Sequence, residues 1–110
     1  MDTQEAKRIA ETILAQLGGH KFGVMTGARN YRFDTDGSLS FMLPGNRINY
    51  VKITLNSLDL YDIDFRHTRR RRGFYEQTVI SHHDNIYADM LRGIFEKETG
   101  LRTSLTEAYA

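Results

Sequence analysis

The chain predicts an α+β fold in which two helices pack on one face of an antiparallel meander of four to five strands. Apolar residues recur at helical spacing near each end of the chain, whereas the segment between alternates apolar and polar residues. Strands grouped between two helices favour α+β over a parallel βαβ sheet. The 110 residues suit one domain, 1–110, divided into helix 2–18, β-meander 20–80 and helix 84–99.

The first helix is predicted over residues 2–18, and one face of it is apolar. Asp2 and Glu5 have the spacing of a capping box, and Gly18 with Gly19 provides a stop. The apolar face consists of Ala6, Ile9, Ala10, Ile13, Leu14 and Leu17.

The first strands follow this helix. His20–Thr26 is predicted as a strand with Phe22 and Val24 on one face. Two further alternating runs, 31–34 and 38–43, flank an Asp-Gly turn, which is a strong local hairpin signal.

The central hairpin is formed by the runs 49–56 and 59–65, which alternate clearly in β-branched and aromatic company. One face of this hairpin is apolar and the other is polar, so the apolar face should anchor the core. The core-facing residues are Val51, Ile53, Leu55, Tyr61, Ile63 and Phe65, and the opposite face carries Lys52, Thr54, Asp62 and Asp64.

The last elements are a weaker strand, Phe74–Ile80, and a helix from about Asp84 to Thr99. Ser81 or Asp84 can cap this helix, and a glycine at position 100 ends it. Gly93 inside the helix is explained by close packing against the sheet.

Composition restricts the function. The chain has no cysteine, which excludes disulfides, thiolate zinc sites and thiol catalysis. No apolar run approaches the roughly 18 residues of a membrane span, and the acidic N-terminus lacks a signal-peptide layout. These features favour a cytoplasmic protein without membrane contact.

Positive charge is concentrated in one place. Arg66 and the run Arg69–Arg72 supply five of the fifteen basic residues, which leaves ten basic against fourteen acidic residues elsewhere. Such a cluster repels itself unless it meets anions, and guanidinium groups bind phosphate bidentately.

The arginine run predicts a basic inter-strand loop that contacts nucleic acid or a nucleoprotein, with neighbouring aromatic rings stacking on bases. Docking on an acidic protein surface and a solvated turn without a specific role remain open alternatives. The candidate binding residues are Arg66, Arg69, Arg70, Arg71, Arg72, Phe74, Tyr75, Arg29 and Asn30.

The acidic residues offer a second hypothesis. Asp59, Asp62 and Asp64 form a cluster in which Asp62 and Asp64 point to the same strand face and could share a hard cation. A metal-dependent nuclease would need them near further carboxylates or near His67, His82, His83 and Asp84. Cross-strand pairing with Lys52 or Arg32 is the simpler interpretation. His82-His83-Asp84 is too compressed for usual zinc spacing and is interpreted as structural. We therefore expect no cofactor, metal or catalytic residue.

Several segments stand in an order that resembles a group of small uncharacterised proteins encoded on bacteriophages and other mobile genetic elements. The segments are Thr26-Gly-Ala-Arg-Asn30, Gly37–Pro44, Asn49-Tyr-Val-Lys-Ile-Thr-Leu-Asn56, Asp59-Leu-Tyr-Asp62 and Glu98-Thr-Gly-Leu101. The likeness runs from Val24 to Leu105, and its arginine run is denser than expected for the group. It implies a role in nucleic-acid metabolism or in disarming host defences.

Together these observations predict a non-enzymatic accessory protein that binds nucleic acid through its arginines. The alternative is a protein-binding inhibitor of a host defence or replication enzyme, and a metal-dependent nuclease comes third. An uncovered outer strand would also permit a homodimer by edge pairing.

Overall fold

A computed structural model of the protein describes residues 1–103 and confirms the α+β class, with helices packed against a five-stranded antiparallel meander. A 3-10 turn, Ala88–Met90, precedes the last helix. The elements are α1 (Thr3–Leu17), α2 (His20–Thr26), β1 (Arg29–Asp34), β2 (Ser38–Met42), β3 (Tyr50–Leu55), β4 (Tyr61–Arg71), β5 (Phe74–Ile86) and α3 (Leu91–Thr99).

Every strand pairs with its neighbours in sequence, so the strand order is β1-β2-β3-β4-β5. In the middle of the sheet Leu39 lies opposite Ile53, which in turn lies opposite Ile63. The predicted central hairpin is therefore β3–β4, and its apolar face is buried as expected except at Leu55, which is only partly buried.

The core lies between this face of the sheet and the helices. Phe22 of α2 packs edge-on against Phe41 of β2 and Phe95 of α3, with ring centroids 5.2 and 5.0 Å apart. Phe95 also contacts Phe65 of β4, so aromatic rings join α2 and α3 to the sheet. This arrangement leaves the opposite sheet face, which we call the open face, without a covering helix among residues 1–103.

His20–Thr26 is a helix, and its prediction as a strand is wrong. Gly18 and Gly19, both at positive φ, turn the chain directly into α2, which ends at Gly27 with φ +74. Phe22 and Thr26 are buried four residues apart on one helical face, whereas Val24 is 71% exposed. Phe22, Val24 and Thr26 are too few positions to distinguish the 3.6-residue period of a helix from the two-residue period of a strand.

The C-terminal elements also differ from the prediction. Strand β5 continues to Ile86, so Ser81 and Asp84 lie in a strand and cap no helix. The continuous pairing of β5 with β4, adjusted by two register shifts, outweighs the helical spacing in this segment. Gly93 does not pack closely, because a Cβ atom there would meet nothing within 4 Å.

The predicted start of α1 and the predicted end of α3 are confirmed. The Asp2 carboxylate accepts a hydrogen bond from the Glu5 amide at 2.7 Å, which caps α1. Gly100 has φ +74 and donates its N–H to the Glu96 carbonyl, which ends α3.

Candidate nucleic-acid interface

The hairpin of β4 and β5 continues beyond the rest of the sheet. The last β3–β4 pair is Tyr50 with Arg66, whereas the β4–β5 pairs continue to Arg71 with Phe74. We define the arm as residues 67–78, a two-stranded ribbon that carries the arginine run.

The base of the arm is held by one side chain. The Asn49 carboxamide accepts from the Thr68 amide at 2.7 Å and donates to the Thr68 carbonyl at 2.7 Å. The side chain therefore binds both backbone groups of Thr68, as the backbone of an additional β3 residue would. The backbone N–H of Asn49 itself donates to the Arg66 carbonyl. Strand β3 pairs with β4 as far as Arg66, and the Asn49 side chain extends this contact to Thr68. Beyond Thr68, among residues 1–103, the ribbon consists of β4 and β5 alone.

The arginine run is mostly strand, and its prediction as a loop is wrong. Arg69–Arg71 pair in register with Phe74–Glu76, and only Arg72 and Gly73 form the turn. Both turn residues have positive φ, +50 and +87, as a two-residue hairpin turn of type I′ requires. Pairing in register with β5, and not the charge of the run, decides its conformation.

In the part of the chain that the structure describes, only some of the arginines of the arm have an acidic partner. Glu76 lies 3.7 Å from the Arg69 Nε and 3.6 Å from the Arg71 Nη1, and both pairs are exposed. Arg70 and Arg72 have no ion pair within residues 1–103. The tip therefore presents two guanidinium groups that no carboxylate of this range neutralises.

The two aromatic residues of the arm lie on opposite faces, because they are adjacent in a strand. Phe74 is 58% exposed and lies opposite Arg71, while Tyr75 is 71% exposed and lies opposite Arg70. Each face of the ribbon thus combines an arginine with an aromatic ring.

Arg66 is the least available of the candidate arginines. It donates to Asp64 at 2.7 Å and to Gln77 at 3.0 Å, and its guanidinium lies 5.7 Å from the centre of the Tyr50 ring. Arg66 therefore braces the base of the arm on the open face.

His82 joins this network from β5. Its two ring nitrogens contact Asp64 and, at 2.5 Å, Asp84. Hydrogen bonds to Asp64 and then Asp84 raise the pKa of His82, because both carboxylates favour the doubly protonated ring. Burial alone would raise the pKa of Asp64, but hydrogen bonds from His82 and Arg66 outweigh it and lower that pKa.

The aspartates are paired, although with other partners than predicted. Lys52 lies opposite Asp64 but binds Asp36, at 3.0 Å. Asp62 accepts from the Asn56 side chain and from the Asn85 amide. Within residues 1–103, no group of three or more histidine, aspartate or glutamate side chains is arranged to hold a metal ion.

A serine, a histidine and a glutamate meet on the helix side of the sheet. The His83 Nε2 lies 3.3 Å from Ser81 Oγ and 3.2 Å from Glu98 Oε2. Hydrogen bonds from Ser81 and His83, opposed by slight burial, lower the pKa of Glu98. A catalytic triad places serine and acid on opposite ring nitrogens, so this cluster has the wrong geometry for one.

Arg29 and Asn30 lie apart from the arm. Arg29 of β1 lies in the same row across the sheet as Arg66 of β4, with Met42 and Tyr50 between them. Strands β2 and β3 therefore separate Arg29 from the base of the arm. Three strand spacings of about 4.8 Å separate β1 from β4. Asn30 has φ +57 and contacts the Met42 sulfur, so neither residue joins the arginine cluster.

Four residues that shape this surface were missed by sequence reasoning. Asn49 and Gln77 bind across strands, Glu76 neutralises part of the arginine run, and Val79 is a 56% exposed apolar residue beside Arg66. Only Glu76 could have been anticipated, because a two-residue turn at Arg72–Gly73 places it opposite Arg69.

Comparisons with known proteins add no relative. No family model, no curated protein and no solved structure matches this chain. None of the helices within residues 1–103 has the length and apolarity needed to cross a bilayer.

Proposed function

We propose that the protein binds nucleic acid non-enzymatically, through phosphate contacts made by the arm. One observation carries the proposal. A ribbon extends past the rest of the sheet and holds Arg70 and Arg72 at its tip without an acidic partner in residues 1–103. Guanidinium groups without a carboxylate partner on a protruding element are well placed to replace the counterions of a phosphate backbone.

The charge distribution supports an approach by the tip. The arm holds four arginines and one glutamate, whereas Asp36, Asp62, Asp64 and Asp84 lie towards the other end of the open face. A polyanion is attracted more strongly to the first region than to the second, whose acids are only partly neutralised by Lys52, Arg66 and His82. The aromatic rings of Phe74 and Tyr75 add exposed surface beside the arginines.

The backbone at the tip gives a further argument. Arg72 has φ +50, a conformation in which asparagine or glycine costs less than a long side chain. An arginine at this position thus sacrifices some stability, and a ligand for its guanidinium accounts for its presence.

The salt dependence of binding tests the proposal. Wild-type protein is titrated with short fluorescent DNA and RNA at several salt concentrations, and compared with the Arg70→Ala/Arg72→Ala variant. We expect weaker binding for the variant. Its log–log salt slope on duplex DNA should be shallower by about 0.9 unit for each phosphate that it no longer neutralises.

The matched control is Lys7→Ala/Arg8→Ala, which removes the same charge from an exposed face of α1. This variant should bind almost as wild type does. The proposal is wrong if replacing all of Arg69–Arg72 leaves binding and its salt slope unchanged, or if both double variants lose affinity equally.

A second candidate function is inhibition of a host enzyme through an acidic protein surface. The exposed Tyr75, which lies opposite Arg70, favours it, because tyrosine and arginine are enriched at protein interfaces, and the exposed Val79 adds apolar area on the same face. In that case Val79→Ser should abolish partner binding, while nucleic-acid binding is absent from the start. Both candidates suit a cytoplasmic accessory protein of a bacteriophage or other mobile element, the setting that the sequence resemblance implies.

A further inference from the structure

The shape of the arm bears on which nucleic acid it binds. We infer that the ligand is B-form duplex DNA, and that the ribbon enters the major groove tip first. This inference rests on the proposed function and concerns the same arginines, but it selects one ligand among DNA and RNA, single-stranded and duplex.

The dimensions of the arm fit that groove. Beyond the hydrogen bonds between Asn49 and Thr68, β4 continues through Arg69–Arg71, three residues that span about 10 Å at 3.3 Å each. The major groove of B-DNA is about 12 Å wide and 8.5 Å deep, and it admits a two-stranded β-ribbon. The unsupported part of the arm is thus long enough to reach the groove floor.

The charge of the arm lies on both of its faces. Arg70 shares one face with Tyr75, whereas Arg69 and Arg71 share the other face with Glu76. A ribbon that stands in the groove has a phosphate backbone on each side, so guanidinium groups on both faces find phosphates. A ligand that lies along one face would leave the others unused.

Single-stranded nucleic acid fits the arm less well. Such ligands are held by aromatic side chains on which successive bases stack. Phe74 and Tyr75 lie on opposite faces of the ribbon, so they cannot form one continuous platform. Duplex RNA is disfavoured for a different reason, because its major groove is too deep and narrow for side chains to read.

Competition at equal phosphate concentration tests the ligand class. Wild-type protein bound to a labelled DNA duplex is challenged with unlabelled duplex DNA, duplex RNA or single-stranded DNA of matched sequence. We expect duplex DNA to compete at a concentration about tenfold lower than the others, a difference of about 1.4 kcal/mol in binding. Equal or stronger competition by single strands or duplex RNA would overturn the inference while leaving nucleic-acid binding intact.

Methylation by dimethyl sulfate tests the groove. This reagent modifies guanine N7 in the major groove and adenine N3 in the minor groove of the same duplex. Saturating protein should protect N7 and leave N3 reactive, and the Arg70→Ala/Arg72→Ala variant should lose that protection while unfolding at a wild-type urea concentration. Protection of N3 alone, or of neither base, contradicts groove entry. Absence of binding to every nucleic acid defeats the proposed function itself, and the inference with it.

Discussion

The carboxamide of Asn49 makes two hydrogen bonds to the backbone of Thr68, each 2.7 Å long. The side chain thereby replaces a peptide unit that β3 does not provide. It fixes where the three-stranded part of the sheet ends and the free ribbon begins.

Replacing Asn49 should loosen the arm locally. Asn49→Ala leaves both partly buried backbone groups of Thr68 without a protein partner, at a cost of about 1–3 kcal/mol. Amide hydrogen exchange should therefore accelerate at Thr68 more than at Ile63. Asn49→Asp keeps the acceptor and should protect the Thr68 amide partly, while Asn46→Ala, at an exposed position of the same loop, should change nothing. Uniform acceleration throughout β4 would contradict a local role.

Glu76→Gln should strengthen nucleic-acid binding. The carboxylate lies within 4 Å of both Arg69 and Arg71 and competes with phosphate for them. Its loss should steepen the salt slope by about 0.9 unit for each additional phosphate that the arm neutralises, a result that misfolding cannot imitate. Stability should change little, since exposed ion pairs contribute only about 0–1 kcal/mol. Glu11→Gln on α1 is the control for net charge, and an equal gain there would argue against a specific effect of Glu76.

Arg72→Asn should separate stability from binding. Asparagine tolerates φ +50 better than arginine, so the free energy of unfolding in urea should rise by up to about 1 kcal/mol, while affinity for nucleic acid falls. Arg70→Asn loses the same charge from a strand position, where asparagine is disfavoured. It should lose affinity without gaining stability. Equal effects of the two substitutions on stability would disprove the role assigned to the turn.

The His82 network predicts a pH dependence of stability. Because folding raises the pKa of His82, its contribution is complete below its unfolded pKa of about 6.5 and is lost as pH rises through the folded pKa. Because folding lowers the pKa of Asp64, that contribution is present above its unfolded pKa and is lost as pH falls through the folded pKa. Urea unfolding should show a smaller loss of stability between pH 5.5 and 8 (about the range on either side of the histidine pKa) for His82→Gln than for wild type.

Titration of the imidazole C2 proton by NMR provides the direct check. Asp64→Asn should lower the pKa of His82 more than Asp84→Asn does, because the Asp64 hydrogen bond is the larger cause of the upward shift. An unchanged pKa in both variants would show that the network does not form in solution.

Two glycine-to-alanine substitutions should have opposite effects on stability. A Cβ atom at Gly45 would clash with the Ile48 carbonyl oxygen, so Gly45→Ala forces the loop apart and should cost about 1–3 kcal/mol. At Gly93, in α3, the added methyl would meet no atom within 4 Å outside the adjoining helix backbone, and alanine should gain about 1 kcal/mol. Urea unfolding measures both, and destabilisation by Gly93→Ala would contradict the open environment described for it.

The sequence predicts the meander better than its surroundings. Alternation through Val51, Ile53 and Ile63 is long enough to define both strands and their buried face. His20–Thr26 is too short for its period to be read, so α2 was mistaken for a strand. The helical spacing around Ile86 concealed the end of β5, because pairing with β4 decides that segment and no local pattern reports it.

The candidate site was predicted in composition but not in geometry. The arginine run can be recognised in the sequence, but the residues that hold the base of the arm and its neighbouring network come from distant parts of the chain. Asn49 is 19 residues from Thr68, and His82 is 18 residues from Asp64. Such contacts depend on strand register, which a single sequence specifies only near tight turns.

The strictly sequential strand order has a consequence for the order of folding. Each strand meets a neighbour that is already close in the chain, so sheet formation requires only short loop closures. The aromatic cluster is different, because Phe22 must find Phe95 from the opposite end of the chain. We therefore expect the sheet to assemble early and rapidly, with docking of α3 against Phe22 as the late step that completes the core.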